Sequence, residues 1–341
     1  MTRLPTNPAG LDRRRLLGLG AAAGALALLP GCETERKVLF SADTHPLGYP
    51  TVTATEAFGT LLRERTNGDL SVRIYAGGQL GTESDTLEIT IFGGIDLNRV
   101  NLAPLNPIAA ETFIPGLPFL FTSTGHMRRA LDGAPGEAIL AALEPHGLIG
   151  LCFYDSGSRC FYNTRGPVRS PEDLHGVKIR SPASNLYVAM ISAAGGNPTP
   201  IPLSETYQAL VQGVVDGAEN NLPSYESTRH HEVARYFSYT RHVIAPEVLV
   251  MSKRRWDRLT PELREIVRTC AKDSVPIMRR LWDAREEEAK TRLVAAGVQF
   301  NDDVDTAAFA ERMGPVWDRF VTTPRLKQIL ADVQAMGGAD A

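Results

Sequence analysis

The sequence predicts an α/β fold in two lobes, and three observations carry that expectation. From Lys37 to Asn101, short strand patterns alternate with amphipathic helical ones in a β-α-β-α-β rhythm, which marks an open, largely parallel sheet with helices on its faces. At 341 residues the chain exceeds a single minimal core, and 43% apolar against 22% charged residues is enough to fill two. Similar α/β units recur beyond Leu148 with no repeat of fixed period, so two related halves exchanging strands is the simplest architecture.

Lys37 to Ala42 reads as the first strand, followed by a loop from Asp43 to Pro50 whose prolines and glycine exclude regular structure. Apolar residues at helical spacing give a helix over Val52 to Arg65, stopped by Asn67-Gly68. Leu70, Val72 and Ile74 alternate as a strand, Thr82 to Phe92 is helical, and Ile95 to Asn101 is the next strand. His126 to Leu143 has a helical pattern, and Leu148 to Tyr154 is an apolar strand crossing into the second lobe. Arg159 to Asn163 is a further strand. Ser170-Pro171-Glu172-Asp173 has the cap, first-turn proline and early carboxylates of a helix start. Val177 to Arg180 is a short strand, and Ser184-Asn185 opens a helix closed by Gly195-Gly196.

Ser204 caps a short helix that Gly213 ends, and the chain then turns extended through Asp216-Gly217 into Ala218-Glu219-Asn220-Asn221. Tyr225 to Tyr236 is read as helix, and Phe237 to Val243 and Val248 to Ser252 as strands returning to the first lobe. Thr260-Pro261-Glu262 starts a helix that runs toward Ala296, kinked or divided at Pro276, and the tail from Asp305 is helical. The expected division is therefore residues 35–154 with about 243–275 as lobe 1, and 155–242 with part of the C-terminal helices as lobe 2. A helical region over about 261–341 packs across both.

Residues 1–31 are set apart from the fold. Arg13-Arg14-Arg15 precedes an apolar run from Leu16 to Leu29, too short to span a bilayer, that ends at Gly31-Cys32, the layout of an export segment. The stretch from Asp12 to Leu17 resembles a twin-arginine signal, and Leu29-Pro30-Gly31-Cys32 resembles a lipobox in which Cys32 is acylated. The chain carries −3; the first 31 residues hold four arginines against one aspartate, which leaves −6 for the remainder. An acidic body is a poor partner for nucleic acid, and any anionic ligand needs locally placed arginines. Cys152, Cys160 and Cys270 remain; Cys152 and Cys160 either pair as a disulfide or lie buried as free thiols.

Ligands of open α/β sheets bind at the carboxyl ends of strands. Arg180 closes such a strand, where its planar fork either grips a carboxylate or serves a surface salt bridge. Arg159 is open to the same two readings. In the first lobe His45, Glu83, Arg99 and Asn101 occupy the matching strand ends and helix starts; Glu83 favours its helix dipole or accepts a ligand hydroxyl, and His45 is a loop residue or a ligand partner. Asn220 and Asn221 either line a cleft with neutral amides or serve turn geometry. Enzyme signatures are absent: there is no G-x-S-x-G, no H-E-x-x-H and no P-loop lysine, and His230-His231-Glu232 lies on a polar stretch read as solvated. Glu83 and Asp155 are the one pair of carboxylates that an exported carbohydrate-acting enzyme could set across a cleft.

Three segments carry a family resemblance: Gly78-Gln79-Leu80-Gly81-Thr82-Glu83; Ser170-Pro171-Glu172-Asp173-Leu174 with Gly176, Lys178, Ile179 and Arg180; and Tyr207, Ala209-Leu210, Gly213, Asp216-Gly217 and Glu219-Asn220. Together they resemble the solute receptors of tripartite ATP-independent periplasmic (TRAP) transporters over essentially the whole mature chain. The resemblance implies a periplasmic-binding-protein-like fold with a strand-crossed hinge and a long C-terminal helix spanning both lobes. It also implies a periplasmic location, no cofactor, no catalysis, and delivery of a small carboxylate to integral-membrane permease subunits. Arg180 takes the place of the family's carboxylate-gripping arginine, Asn220 of its partner asparagine, and Arg159 of an additional arginine. Ser41 to Thr51, Tyr154 to Gly157 and Ala218 to Tyr225 look like the branch that binds sugar acids such as glucuronate and galacturonate, with His45, Glu83, Asn101, Asn220 and Asn221 toward the hydroxyls. The alternatives are a receptor for another acid, such as a 2-oxo acid, the enzyme above, or a ligand sensor. The lipobox departs from the usual arrangement of these receptors.

Overall fold

The computed structural model describes residues 38–337; the arginine-rich segment and Cys32 lie outside the described residues. The first five elements follow the expected rhythm: β1 (Val38–Ala42), α1 (Pro50–Arg65), β2 (Ser71–Tyr75), α2 (Glu83–Ile91) and β3 (Leu97–Asn101). Helix α1 starts at Pro50, ahead of its first apolar residue, because the first turn needs no backbone N–H. Thr82 and Asp85 close a reciprocal capping box on α2, which fixes where Glu83 stands.

The two longest strands correct the sequence reading. β4 (Leu148–Asn163) and β8 (Tyr236–Ser252) each read as two strands in one dimension, yet each is continuous, 16 and 17 residues long. The apparent break in β4 is a register shift against β8 between Asp155 and Ser158, where Gly157 has φ +60 and a Cβ would fall 2.5 Å from Glu286 Oε1. A bulge needs such a residue, and its polar run resembles a loop in sequence. Opposite it, Pro246 of β8 pairs with Asp155 at the bulge, a place where a sheet tolerates a missing donor.

With β5 (Lys178–Ser181), β6 (Asn197–Pro200), β7 (Gly217–Asn220) and β9 (Gln299–Asn301), the described residues form one nine-stranded sheet. Its order is β2-β1-β3-β8-β4-β7-β5-β6, with β9 parallel to β8. Parallel blocks β2-β1-β3 and β7-β5-β6 flank the antiparallel pair β8 and β4, which therefore runs through both halves. β6 was not legible: Pro198 and Pro200 argue against a strand, and it is tolerated because it is the sheet's edge.

Between these strands lie α3 (Leu102–Leu105), α4 (Thr124–Asp132), α5 (Ala134–Ala141), α6 (Asn185–Ala193), α7 (Leu203–Val211), α8 (Leu222–Ser227) and α9 (Lys253–Trp256). The single helix expected over His126 to Leu143 is two, since Gly133 ends α4 and Pro135 sits in the first turn of α5. Pro202, not Ser204, precedes α7, and Ser204 lies inside it. The helix expected over Tyr225 to Tyr236 is only α8 and a turn at His230–Glu232, separated by left-handed Arg229.

Helix α10 (Pro261–Ala295) spans 35 residues and is not divided at Pro276. Its packing outweighs one lost backbone hydrogen bond. Val267, Cys270, Ala271, Met278 and Trp282 join a core with Phe58, Leu62 and Tyr154, and Ala289 and Leu293 join another with Tyr162, Tyr225 and Phe237. One long helix thus seals two cores, each large buried side chain contributing about 1.5–3 kcal/mol. Helices α11 (Thr306–Glu311), α12 (Gly314–Phe320) and α13 (Pro324–Ala335) complete the chain, and Cys152, Cys160 and Cys270 are buried free thiols. No described helix is long and apolar enough to cross a membrane.

Candidate functional site

Strand ends and helix starts from both halves of the sheet converge on an inner cavity of about 30 Å³. Of the residues singled out in the sequence, His45, Glu83, Asn101, Arg159, Arg180 and Asn220 line it, together with Ser224 and Glu247. Arg99 and Asn221 stand behind this wall.

Arg99 on β3 is fully enclosed by acids. Its guanidinium contacts Asp43, lies 2.9 Å from Glu83 and 3.0 Å from Glu247, and donates to Thr44 Oγ1 and, at 2.7 Å, to His45 Nδ1. Burial opposes its charge, but these carboxylates more than offset that and raise its pKa, while Asp43 is held well below the usual carboxylate range. His45 Nδ1 thus lies between Arg99 Nη2 and Asp43 Oδ1, the latter 3.3 Å away, while Nε2 stands 3.5 Å from Ser224 Oγ; the ring stacks on Tyr49. Glu83 also accepts from the Asn101 backbone N–H. Asn101 caps α3 with its oxygen.

Arg159 is mid-strand in β4 rather than at a strand start, and it too is committed. Nε and Nη2 reach the two Glu219 oxygens at 2.5 and 2.7 Å, and Nη1 donates to Asn220 Oδ1 at 3.1 Å. Burial alone would push the Glu219 carboxyl up; Arg159 and His242 instead bring it down to about 2. Asn220 Oδ1 also accepts from the Asn221 backbone, which leaves the Asn220 amide NH₂ to the cavity. Asn221 caps α8 and donates to Ser156 Oγ, so its side chain is consumed by turn geometry.

Arg180 differs from both. It is 4% exposed on β5, its Nε donates to the Ile201 carbonyl at 2.7 Å, and among the described residues no acid forms an ion pair with it. Burial lowers its pKa, with Glu219 at longer range acting against that. A buried guanidinium whose terminal nitrogens face a cavity, with no carboxylate of its own, can receive one from outside.

Arg180 and Glu83, with Pro182 and Leu203, also border a larger outer cavity of about 500 Å³. His230 borders it as well. The imidazole is buried, not solvated as its polar neighbours suggest, because it packs under Tyr162, whose hydroxyl lies 2.8 Å from Nδ1. Asp155 lines neither cavity: it is bound by Arg128 and Arg279, so the pair of facing carboxylates imagined with Glu83 is not formed. Glu83 and Glu247 are the carboxylates on the inner wall, and both lean on one nitrogen of Arg99. Glu247 was missed, although a charge within the apolar run from Val243 to Met251 was a signal.

Residues 41–323 match the bacterial extracellular solute-binding proteins, family 7 (DctP). A solute-binding protein of Chromohalobacter salexigens is 40% identical over 291 residues, 85% of this chain and 87% of that one. Among solved structures, a TRAP periplasmic solute-binding protein of a Bradyrhizobium species in complex with galacturonate is 47% identical, with a TM-score of 0.86 over 87% of this chain and 99% of that one. One from Chromohalobacter salexigens with bound D-glucuronate is 39% identical, with a TM-score of 0.85 over 87% and 99%. The parallel blocks bridged by β4 and β8 are the two-lobed fold of these receptors, which serve membrane permease subunits. The chain belongs to family 7 of the bacterial extracellular solute-binding proteins, the solute receptors of TRAP transporters.

Proposed function

We propose that this receptor binds a hexuronate, glucuronate or galacturonate, and passes it on without chemical change. The observation that carries the reading is Arg180, a buried guanidinium with no ion-pair partner among the described residues, at the wall shared by the two cavities. The ligand carboxylate meets its fork, the Asn220 amide adds a donor, and Glu83, Asn101, His45, Ser224 and Glu247 receive the hydroxyls. Arg159 holds Asn220 in place, and Arg99 holds the two carboxylates. Both similar structures described above contain a hexuronate, which supports the same class here.

The inner cavity has room for only one or two waters, so a ring enters as the lobes part. The lobes, 35–154 with about 243–275 and 155–242 with part of the C-terminal helices, the described part beginning at residue 38, would move about the Ser156-Gly157 bulge. The protein is periplasmic like its family, and the Leu29-Pro30-Gly31-Cys32 sequence supports a lipid tether at Cys32, which the mass of the N-terminal peptide checks. The test of function is a thermal-shift panel, since a ligand of the folded state raises its apparent stability. A shift with a hexuronate and none with neutral hexoses is expected. A shift with other acids alone removes the uronate assignment, and no shift with any acid removes Arg180 from the role.

A further inference from the structure

We propose that Asn106 and Ser184 form a latch between the lobes: positioning residues that touch no ligand, meet only when the cleft is shut, and set how slowly a bound solute leaves. This rests on the reading above of two lobes closing on a hexuronate. With an inner cavity of about 30 Å³ the cleft is shut, so the side-chain contacts that cross it are those of the closed form. Two of them are buried and short: the Tyr49 hydroxyl lies 2.9 Å from Ser224 Oγ, and Ser184 Oγ donates to Asn106 Oδ1 at 2.6 Å. They sit beside different cores, Tyr49 in the one with Trp282, and the neighbours Leu105 and Leu186 of the second pair in the other. Ser224 lines the inner cavity, whereas Asn106 and Ser184 line neither the inner cavity nor the outer one. The second pair therefore acts on closure alone.

Each partner is preset by its own lobe. Thr112 Oγ1 spends its proton on the Ala109 carbonyl at 2.7 Å and so accepts from Asn106 Nδ2, 3.2 Å away, which turns Oδ1 toward α6. Ser184 Oγ accepts from the Leu186 backbone N–H as the cap of α6, so its own proton is free for Oδ1. Ser184 follows Arg180 by four positions and Asn106 follows Asn101 by five, so the closure that brings those cavity residues together also brings this pair together. Beside the pair, Gly116 admits Leu186: a Cβ at 116 would stand 3.2 Å from Leu186 Cδ2, a contact tight enough to leave no room for water. In the open form both polar groups are hydrated. Removing one of them strands the other in the closed form alone, which costs more than the bond itself contributes. The consequence is kinetic, because encounter precedes closure and the rate of departure carries the effect.

Stopped-flow kinetics on the receptor with glucuronate and galacturonate test this. Ser184→Gly removes the hydroxyl and leaves a residue that still suits a helix cap. It should raise the dissociation rate by about 5-fold or more and leave association within about 2-fold. Asn106→Ala should do the same, and the double variant should exceed either single one by no more than about 2-fold, because one bond is lost only once. In denaturant titration without ligand, where the lobes part, the two substitutions should act additively. If one variant does not fold, the other carries the kinetic test alone. An unchanged dissociation rate overturns the latch, as does coupling that appears in the unliganded protein and not in release, which makes the pair permanent packing. Failure of the parent receptor to bind either acid removes the hexuronate reading, and the latch falls with it.

Discussion

Arg180 lines the small cavity and Arg99 stands behind its wall, both buried in short strands, and they are opposites in company. Arg99 meets Asp43, Glu83, Glu247 and His45, whereas Arg180 has a single backbone carbonyl, from Ile201. A guanidinium whose terminal nitrogens are held by several acids is scaffold: it keeps buried carboxylates charged and aimed. One with no acid of its own carries a desolvation cost that only an incoming anion relieves. The difference teaches that burial and residue type do not assign a role in a binding site; the list of existing partners does.

Arg180→Ala is the sharpest way to break the comparison. It removes a fork worth about 1.5–3 kcal/mol per charge-assisted hydrogen bond, so uronate affinity should fall by roughly 10²-fold or more in calorimetry. The melting temperature without ligand should hold or rise, because no buried acid is left unpaired. A large loss of stability would place Arg180 with Arg99.

Arg99→Leu should do the reverse. Stripping three carboxylates of their shared cation is expected to cost about 3–5 kcal/mol of folding stability in denaturant titration, with binding lost because Glu83 and Glu247 lose their aim. Unchanged stability would mean that the acids simply take up protons, and the scaffold role would fall.

The Arg159–Glu219 pair extends the contrast to pH. The folded carboxyl titrates near 2, well below its ordinary 4.5, so the unfolded chain takes the proton first. The stabilisation is fully present above about 4.5 and is lost as pH falls through about 2, roughly 3 kcal/mol in all. His242, lowered below 6.5 by burial, adds loss of the same sign at a higher pH; Asp155 and Glu286, raised by burial, run the other way. Glu219→Gln isolates the pair: its unfolding free energy between pH 5 and pH 2 should fall less steeply than that of the parent protein.

What the sequence made legible were features fixed by near neighbours. The helix start at Thr82, the proline starts at Pro171 and Pro261, and Arg180 at the end of a short strand depend on spacings of a few residues. Partner lists were not legible, because they join residues distant in the chain. Arg99 and Glu247 are 148 positions apart, and nothing local separates an arginine paired with acids from one that has none. The same reason hid His230, whose burial depends on Tyr162, and it made two bulged strands look like four, since a bulge is defined by what lies opposite.

Asn220 gives the smallest and most discriminating effect. Its Oδ1 is spent on Arg159 and on the Asn221 backbone, so only the amide NH₂ remains for a ligand. Asn220→Asp keeps the oxygen and replaces that donor with an acceptor facing the ligand carboxylate, while Asn220→Ala removes both. If the NH₂ is the ligand contact, the alanine variant should lose about 1 kcal/mol of binding, some 5-fold, and the aspartate variant more, through repulsion of like charges. If Asn220 serves only to steady Arg159, the order reverses, because an aspartate there holds the guanidinium better than the amide does. Calorimetry on the two variants, with denaturant stability as the control for the Arg159 contact, separates a residue that reads the ligand from one that props up its neighbour.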